Sequence, residues 1–226
     1  MTTHHDRLFV LWRTPADGSR CVVGELRREP DGSFSFFYER DLASVMAEGF
    51  ALLPEFPDHR AEGHPYRARH LFTSFAQRIP SPKRPDFGAL MSSWGVEHTD
   101  DAMEILALSG GVLLTDRIEL AEYRAADDSL EQPLVFRVAG AKHKPFPGRV
   151  TAGELLALKR EPENPKDDRA VLVERRTGQP LGFVPRQYSR MVSSLMDAGV
   201  EIEARAVREL VLPAETGRWV VEIRRA

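Results

Sequence analysis

The chain has 226 residues, a length that fits one large domain or two small ones. Apolar residues make up 42% of it and charged residues 29%, which excludes a wholly disordered chain. The formal net charge of -3 excludes a strongly basic, histone-like binder, and the single cysteine excludes an internal disulfide. No apolar run approaches the roughly 20 residues of a membrane span. The N-terminus lacks the pattern of a signal peptide, so we expect a cytoplasmic protein.

The charge is unevenly distributed along the chain. Residues 1–130 contain 14 Lys and Arg against 21 Asp and Glu, a net charge of -7, whereas residues 131–226 contain 17 against 13, a net charge of +4. An acidic front and a basic back favour two units with different partners. We therefore predict a domain of residues 1–125 followed by a second domain of residues 126–226.

The start of the chain is typical of β-strands. Three segments rich in Val, Phe, Tyr and Leu comprise residues 7–12, 21–26 and 33–38. Between the last two, Pro30-Asp31-Gly32 is a strong turn signal, because Pro presets φ and Gly accepts a positive φ. The pattern predicts a three-stranded meander.

Helical patterns follow the strands. Predicted helices comprise residues 42–48, 66–78, 85–94 and 100–109. Asp41 and Thr99 are predicted as N-caps of the first and last of them, because their side-chain oxygens can accept hydrogen bonds from free backbone N–H groups. Gly49, Gly95 and Gly110 follow three of the helices, where glycine commonly ends a helix.

The back half returns to short strands. Residues 123–132 are polar and form the best candidate for a linker, because the charge changes sign there. Beyond it, predicted strands comprise residues 134–139, 154–158, 170–174, 181–184, 200–210 and 217–225, with one amphipathic helix over residues 188–196. The sequence therefore predicts an α+β chain. An N-terminal mixed α/β module with a small antiparallel sheet and several helices is followed by a small β-barrel with one main helix.

The usual catalytic motifs are absent from the sequence. The seven histidines include no pair at the spacing of a zinc protease. There is neither a Gly-x-Ser-x-Gly elbow nor a glycine-rich phosphate loop followed by Lys-Ser or Lys-Thr. We therefore predict a protein that is not an enzyme, with no catalytic residues, metal, cofactor or small-molecule ligand.

One motif stands out, in residues 156–171. A strand leads into a loop that Pro162 and Pro165 stiffen, and such a loop loses little entropy when it binds a ligand. Within it, Asn164 can both donate and accept hydrogen bonds, and Asp167 is an acceptor among Lys159, Arg160, Lys166 and Arg169. The alternative is that Asn164 and Asp167 form turns and bind only their own backbone.

This loop resembles that of a known family. Glu161-Pro162-Glu163-Asn164-Pro165-Lys166-Asp167, followed by Leu181-Gly182-Phe183-Val184-Pro185-Arg186, is similar to the HIRAN domain, over about residues 134–225. HIRAN domains occur in eukaryotic SWI/SNF-type remodelers and as free-standing bacterial proteins. The resemblance implies an OB-like barrel that binds single-stranded DNA, in the best-understood members at a free 3′ end. It also implies that Asn164 and Asp167 hold the terminal nucleotide and that Arg186 binds a phosphate.

The chain departs from the family at one position. Where Lys166 stands, the family usually has an aromatic residue that packs on the nucleotide. Lys166 supplies charge but no stacking surface, so binding along a strand is the alternative to binding at its end. Tyr188 and Trp219 are candidate replacements for the missing ring, and the alternative is that both lie in the core.

Further candidates for nucleic-acid contacts are basic. They are Arg137, Lys142, Lys144, Arg149 and Arg160. Phosphate contacts release counterions, so binding through these residues should weaken with salt.

The front half resembles a second family over about residues 8–120. Val22-Val23-Gly24-Glu25-Leu26, residues 34–38 and residues 72–80 are similar to the N-terminal subdomain of HipA-type toxin kinases. The kinase domain does not follow, so the resemblance implies an interaction module and no phosphoryl transfer.

The leading hypothesis is a non-catalytic protein that binds single-stranded DNA as an accessory factor in DNA processing, repair or defence. It would use the acidic front module to bind a protein partner. The alternative is a regulatory or antitoxin-like module for a HipA-type kinase, in which the barrel is structural. Salt-dependent DNA binding distinguishes the two.

Overall fold

The computed structural model describes residues 5–60, 64–141, 144, 150–209 and 219–226. The chain divides into two compact units, Met1–Tyr123 and Arg124–Ala226, which we call unit 1 and unit 2.

Unit 1 is built on a five-stranded antiparallel sheet with the strand order β4-β3-β2-β1-β5. The strands are β1 (Arg7–Arg13), β2 (Arg20–Arg28), β3 (Phe34–Tyr38), β4 (Tyr66–Ala68) and β5 (Ile118–Glu122). The first three pair in succession, which confirms the predicted meander. At the predicted turn, Asp31 Oδ1 accepts hydrogen bonds from N and Oγ of Ser33 at 2.9 and 2.6 Å.

The described residues of unit 1 include four helices. They are α1 (Ala43–Ala47), α2 (Thr73–Ala76), α3 (Phe87–Trp94) and α4 (Ala102–Ser109). Gly95 and Gly110 follow α3 and α4 in the left-handed conformation, as predicted. The cap of α4 is Asp101, however, and not Thr99. Its carboxylate accepts hydrogen bonds from the backbone N–H groups of Met103 and Glu104 at 2.9 and 3.2 Å.

The helix predicted over residues 66–78 is wrong in its first half. Tyr66 lies in strand β4, opposite Phe36 of β3. The Tyr66 hydroxyl accepts from Asp58 N at 2.8 Å and donates to Asp58 O at 2.9 Å. Its ring packs on Phe56, with centroids 5.1 Å apart. Pairing at the sheet edge and ring packing thus outweigh the helical spacing, which survives only in α2.

Aromatic rings fill the core between this sheet and the helices. The Phe36 and Phe56 centroids are 4.3 Å apart, and Phe75 packs on both rings. The Tyr38 hydroxyl donates to Phe56 O at 2.9 Å and accepts from Leu53 N at 2.8 Å. Burial raises the pKa of Tyr38 to about 12, so this phenol stays protonated.

Unit 2 is built on a six-stranded sheet with the order β6-β11-β10-β7-β8-β9. Its strands are β6 (Leu134–Arg137), β7 (Leu155–Arg160), β8 (Val171–Arg175), β9 (Pro180–Phe183), β10 (Ile202–Glu209) and β11 (Trp219–Arg225). All of its strand pairs are antiparallel. Together with unit 1, this confirms the predicted α+β class.

The sheet of unit 2 curls until its two edge strands meet. Just beyond β6, Ala139 bridges to Phe183 of β9, and the two residues exchange N–H···O bonds of 2.8 Å. Gly182 is required at this closure: a Cβ on it would lie 2.4 Å from Ala139 O and 2.6 Å from Val138 Cγ1, and its φ is +143°. The result is a barrel wall whose edges are joined, among the described residues, at this one bridge.

The described residues of unit 2 contain one α-helix, α5 (Arg186–Asp197), which lies between β9 and β10 in the sequence. Tyr188, Met191 and Val192 of this helix are buried, and Leu195 and Met196 are half-buried. The predicted amphipathic helix is therefore confirmed.

The segment predicted as a linker, residues 123–132, is structured and belongs largely to unit 2. Arg124 is buried, and its guanidinium donates to Pro133 O at 2.7 Å and Gln132 O at 3.4 Å. Leu130 is buried with 1% exposure and has a φ of 56°. Asp128 Oδ1 accepts a 2.7 Å hydrogen bond from Leu130 N. One buried leucine and one buried arginine thus fix a segment whose polar composition is typical of a flexible linker.

Candidate nucleic-acid interface

The loop that joins β7 to β8, residues 161–170, is a series of hydrogen-bonded turns. Glu161 N donates to Ala170 O at 2.9 Å, and Asn164 N donates to Glu161 O at 3.0 Å. Ala170 N donates to Asp167 O at 3.0 Å, which closes the last turn. Pro162 and Pro165 restrict φ between these bonds. The backbone of this loop is therefore fixed before any ligand binds.

The Asn164 and Asp167 side chains take part in these turns. Asn164 Oδ1 accepts from Lys166 N at 3.0 Å, and its Nδ2 donates to Glu161 Oε2 at 3.1 Å. Asp167 Oδ1 accepts from Arg169 N at 2.9 Å. Asn164 and Asp167 therefore form turns with their own loop, as the alternative interpretation predicts. This arrangement leaves capacity for a ligand, because a carboxylate can accept about four hydrogen bonds and an amide has two donors and two acceptor sites.

Arg160 is used inside the protein. Its Nε and NH2 lie 3.0 and 3.3 Å from the carboxylate oxygens of Asp197, at the end of α5. Its NH1 donates to Ala170 O at 3.1 Å. The hydrogen bond from Arg160 lowers the pKa of Asp197 below its usual value. We therefore assign Arg160 to positioning of the loop rather than to phosphate binding.

Arg186 begins α5 and is exposed. It lies close to the loop, because Val184 N, two residues before it, donates at 2.9 Å to Val171 O at the start of β8. The N-cap position of α5 is Pro185, and no side chain caps this helix end. Lys166 and Arg169 of the loop are also exposed.

The two candidate replacement aromatics lie in the core. Trp219 is 1% exposed and Tyr188 is 2% exposed, and the Tyr188 ring packs against Phe136 with centroids 6.2 Å apart. Neither ring offers a face to a nucleotide, so the prediction that they supply stacking is wrong. Both are large apolar rings at positions whose strand and helix periodicity points inward.

An aromatic residue that the sequence analysis did not select lies near the loop. Phe183 is half-buried, and the Lys144 Nζ lies 4.6 Å from its ring centroid. Across the sheet, Phe183 pairs with Leu172, which pairs in turn with Lys159. An aromatic ring in contact with one lysine, with a second lysine two strands away, has the composition of a nucleic-acid contact. In the sequence, Phe183 stands out only as part of the Leu181-Gly182-Phe183 motif.

The remaining basic candidates are less informative. Arg137 lies on β6 opposite Val220 and is half-buried. Lys142 and Arg149 lie outside the described residues. Within the described ranges, no three His, Cys, Asp or Glu side chains are grouped as a metal site would require. The part of the chain that the structure describes also contains no helix with the length and apolar character to cross a membrane.

The family model of the HIRAN domain matches residues 133–215. The crystal structure of the HIRAN domain of human HLTF is 25% identical, covering 40% of this chain and 74% of that chain, with a TM-score of 0.35. A crystal structure of a Lactobacillus plantarum protein is 18% identical, covering 41% and 97%, with a TM-score of 0.34. None of the curated proteins matches the chain. The HIRAN resemblance is thus confirmed, whereas the resemblance to HipA-type kinases stays a prediction.

Proposed function

From the HIRAN match of residues 133–215, we propose that unit 2 is a non-catalytic module that binds single-stranded DNA at a free 3′ end. The family match is the observation that carries this proposal, since it includes the 161–170 loop, Phe183 and Arg186. The geometry supports it, because the loop is fixed by its own hydrogen bonds and needs little ordering on binding.

In this proposal Asp167 distinguishes the end of a strand from its interior. A carboxylate accepts a hydrogen bond from a terminal 3′ hydroxyl and repels a phosphate at the same place. The bond contributes about 1.5–3 kcal/mol, and two like charges at about 4 Å cost on the order of a few kcal/mol. We expect a roughly 10- to 1000-fold preference for the hydroxyl end. Asn164 would hold the terminal base or sugar through its remaining donor and acceptor.

Arg186 would bind the first internal phosphate. Its side chain is exposed, and it stands at the start of a 12-residue helix that no side chain caps. The first N–H groups of such a helix favour an anion. A guanidinium and a helix end therefore act on the same phosphate.

Phe183 would supply the stacking surface that Lys166 cannot provide. Lys144 lies over the ring in the free protein. A base that stacks on Phe183 would displace this ammonium, which could then contact a neighbouring phosphate. The cation–π contact that is lost, about 0.5–1 kcal/mol at an exposed site, is smaller than the about 1–3 kcal/mol of base stacking.

Unit 1 would then connect DNA binding to another protein. Its residues belong to the part of the chain with a net charge of -7, which disfavours direct contact with DNA. On this basis the protein would act as an accessory factor in DNA processing, repair or defence.

The experiment measures fluorescence anisotropy of matched single-stranded DNAs that end in a 3′ hydroxyl or a 3′ phosphate. Wild type should prefer the hydroxyl end. Asp167→Asn should lose most of this preference, because it removes the negative charge while an oxygen remains to accept the Arg169 N–H bond.

The matched control is Asp168→Asn, which makes the same change of charge at the exposed neighbouring position. It should keep the preference. Equal affinity of wild type for both DNAs would contradict end recognition, and no saturable binding of either DNA would contradict the proposed function as a whole.

A further inference from the structure

The wall of unit 2 has a gap between two neighbouring strands. β7 pairs with β10 at Leu155 and Leu156, opposite Arg205 and Ala204. Beyond this point β7 continues to Arg160 and stays paired with β8. The strands β7 and β10 therefore separate, and one edge of β7 is left without a neighbouring strand among the described residues.

The backbone groups of Leu158 and Arg160 face this gap. In an antiparallel pair, alternate residues direct N–H and C=O toward the partner strand. Glu161 N donates to Ala170 O, so the residues of β7 bonded to β8 are the odd-numbered ones. The bond from Val184 N to Val171 O fits the same alternation. Val171 is the partner of Arg160 across the strands, and its carbonyl group points away from β7. Leu158 and Arg160 thus offer donors and acceptors on the open edge.

A groove of about 410 Å³ lies at the gap. Its lining comprises Leu156, Ala157, Leu158, Arg176, Met196, Gly199, Val200 and Ile202. The side chains are aliphatic apart from Arg176, which is exposed. The groove therefore combines an unpaired strand edge, several aliphatic side chains and one positive charge.

We propose that this gap binds an extended peptide segment of a partner protein. The peptide would pair with β7 at Leu158 and Arg160, place an aliphatic side chain against Met196 and Val200, and direct a carboxylate to Arg176. Backbone pairing of this kind is how exposed sheet edges recognise peptides. A strand edge beside aliphatic side chains and one cation suits such a peptide better than a nucleic acid, whose binding needs several cations and aromatic rings.

The test uses the full chain and a labelled peptide of alternating Val and Thr with a Glu at each end. Fluorescence anisotropy should give a Kd below about 1 mM. N-methylation of the central Val, which removes one backbone donor, should weaken binding roughly tenfold. Arg176→Glu should weaken binding of the acidic peptide and strengthen binding of a matched peptide with Lys at each end. The control is Arg225→Glu, which makes the same change of charge at an exposed position at the end of β11. It should leave the affinity for both peptides unchanged.

Amide hydrogen exchange provides the second readout. The peptide should slow exchange at Leu158 and Arg160 in wild type. Absence of saturable binding, or binding without slower exchange at these two amides, would overturn the proposal. Slower exchange there with single-stranded DNA and not with the peptide would overturn it as well and assign the gap to the DNA site.

Discussion

At the scale of single residues, Phe183 shows how one irregularity decides which face a side chain occupies. Strand alternation predicts that Phe183 and Leu181 lie on the same face, and Leu181 is 1% exposed. The pairing of β8 with β9 shifts register between Val173 and Glu174, however, and Leu181 is the extra residue. Phe183 is thereby half-exposed beside Lys144.

We predict that Phe183→Leu weakens binding of single-stranded DNA. Leucine keeps most of the apolar packing and removes the aromatic face, so the affinity should fall roughly 5- to 100-fold. Anisotropy titration of wild type and variant checks this. Phe183→Trp, which retains an aromatic face, should bind about as well as wild type, and an unchanged affinity of the leucine variant would contradict stacking at this position.

A second residue-scale feature is a histidine paired with a buried carboxylate. His98 Nδ1 lies 2.7 Å from Glu104 Oε2, and Glu104 Oε1 accepts from Glu97 N at 2.7 Å. The hydrogen bond and the charge of Glu104 raise the pKa of His98 above 6.5. The pair joins the end of the α3–α4 connection to the first turn of α4.

This pair predicts a pH dependence of stability. The pKa of His98 is higher in the folded than in the unfolded state, so its protonation stabilises the folded protein. This contribution to the free energy of unfolding is full below pH 6.5 and is lost as the pH rises through the folded pKa. Urea midpoints measured across this range should fall with pH more steeply for wild type than for His98→Gln. An NMR titration that gives His98 a pKa at or below 6.5 would contradict the prediction.

At the scale of elements, closure of the barrel depends on Gly182. The site combines a φ of +143° with a close approach of Ala139 O. We predict that Gly182→Ala lowers the free energy of unfolding by about 2–5 kcal/mol, because backbone strain and overpacking add. Gly153→Ala is the control: its φ is +83° and a Cβ there meets nothing within 4 Å. Gly153→Ala should lower the free energy of unfolding by about 1–2 kcal/mol. If urea unfolding shows that the two variants lose the same free energy of unfolding, crowding at the closure contributes nothing.

Elements that are specified locally could be predicted from the sequence. The β2–β3 turn and the end of α3 depend on Asp31 and Gly95, whose effects act within a few residues. The same holds for the 161–170 loop, where Pro and Asx residues fix their own turns. This is why the part of the candidate site in that loop was found from sequence.

Elements that are specified by distant partners could not be predicted. β4 exists because Tyr66 pairs with Phe36, and β5 because Ile118 pairs with Trp12 of β1. Arg78, with 2% of its side chain exposed, fixes the entry to β5 by donating to Gly111 O and Ile118 O at 2.9 and 3.2 Å. Nothing near Arg78 in the sequence indicates these contacts.

At the scale of the whole molecule, the chain consists of two units whose boundary precedes Arg124. We predict that limited proteolysis of the full chain releases a folded fragment that begins near residue 124. A fragment that begins at residue 131 should be less stable by about 2–5 kcal/mol, since it lacks the buried Leu130. Circular dichroism during urea titration of both fragments checks the difference.

A single unfolding transition of the full chain, with no stable fragment after proteolysis, would mean that the two units fold as one. A stable fragment that begins at residue 131 would show that Arg124 and Leu130 contribute little.

The two weak contacts in the barrel wall have a consequence for its motions. Among the described residues, the wall is joined by one bridge at Ala139 and Phe183. Between β7 and β10 it is joined by two residue pairs and by the backbone hydrogen bonds that Ala206 makes with Gly153 and Glu154. These contacts divide the six strands into two groups of three, β6-β11-β10 and β7-β8-β9, each held by longer ladders. Each group has the character of a cooperative subunit of local unfolding, a foldon. We therefore predict that the barrel opens first at these two junctions, with each group of three strands still paired.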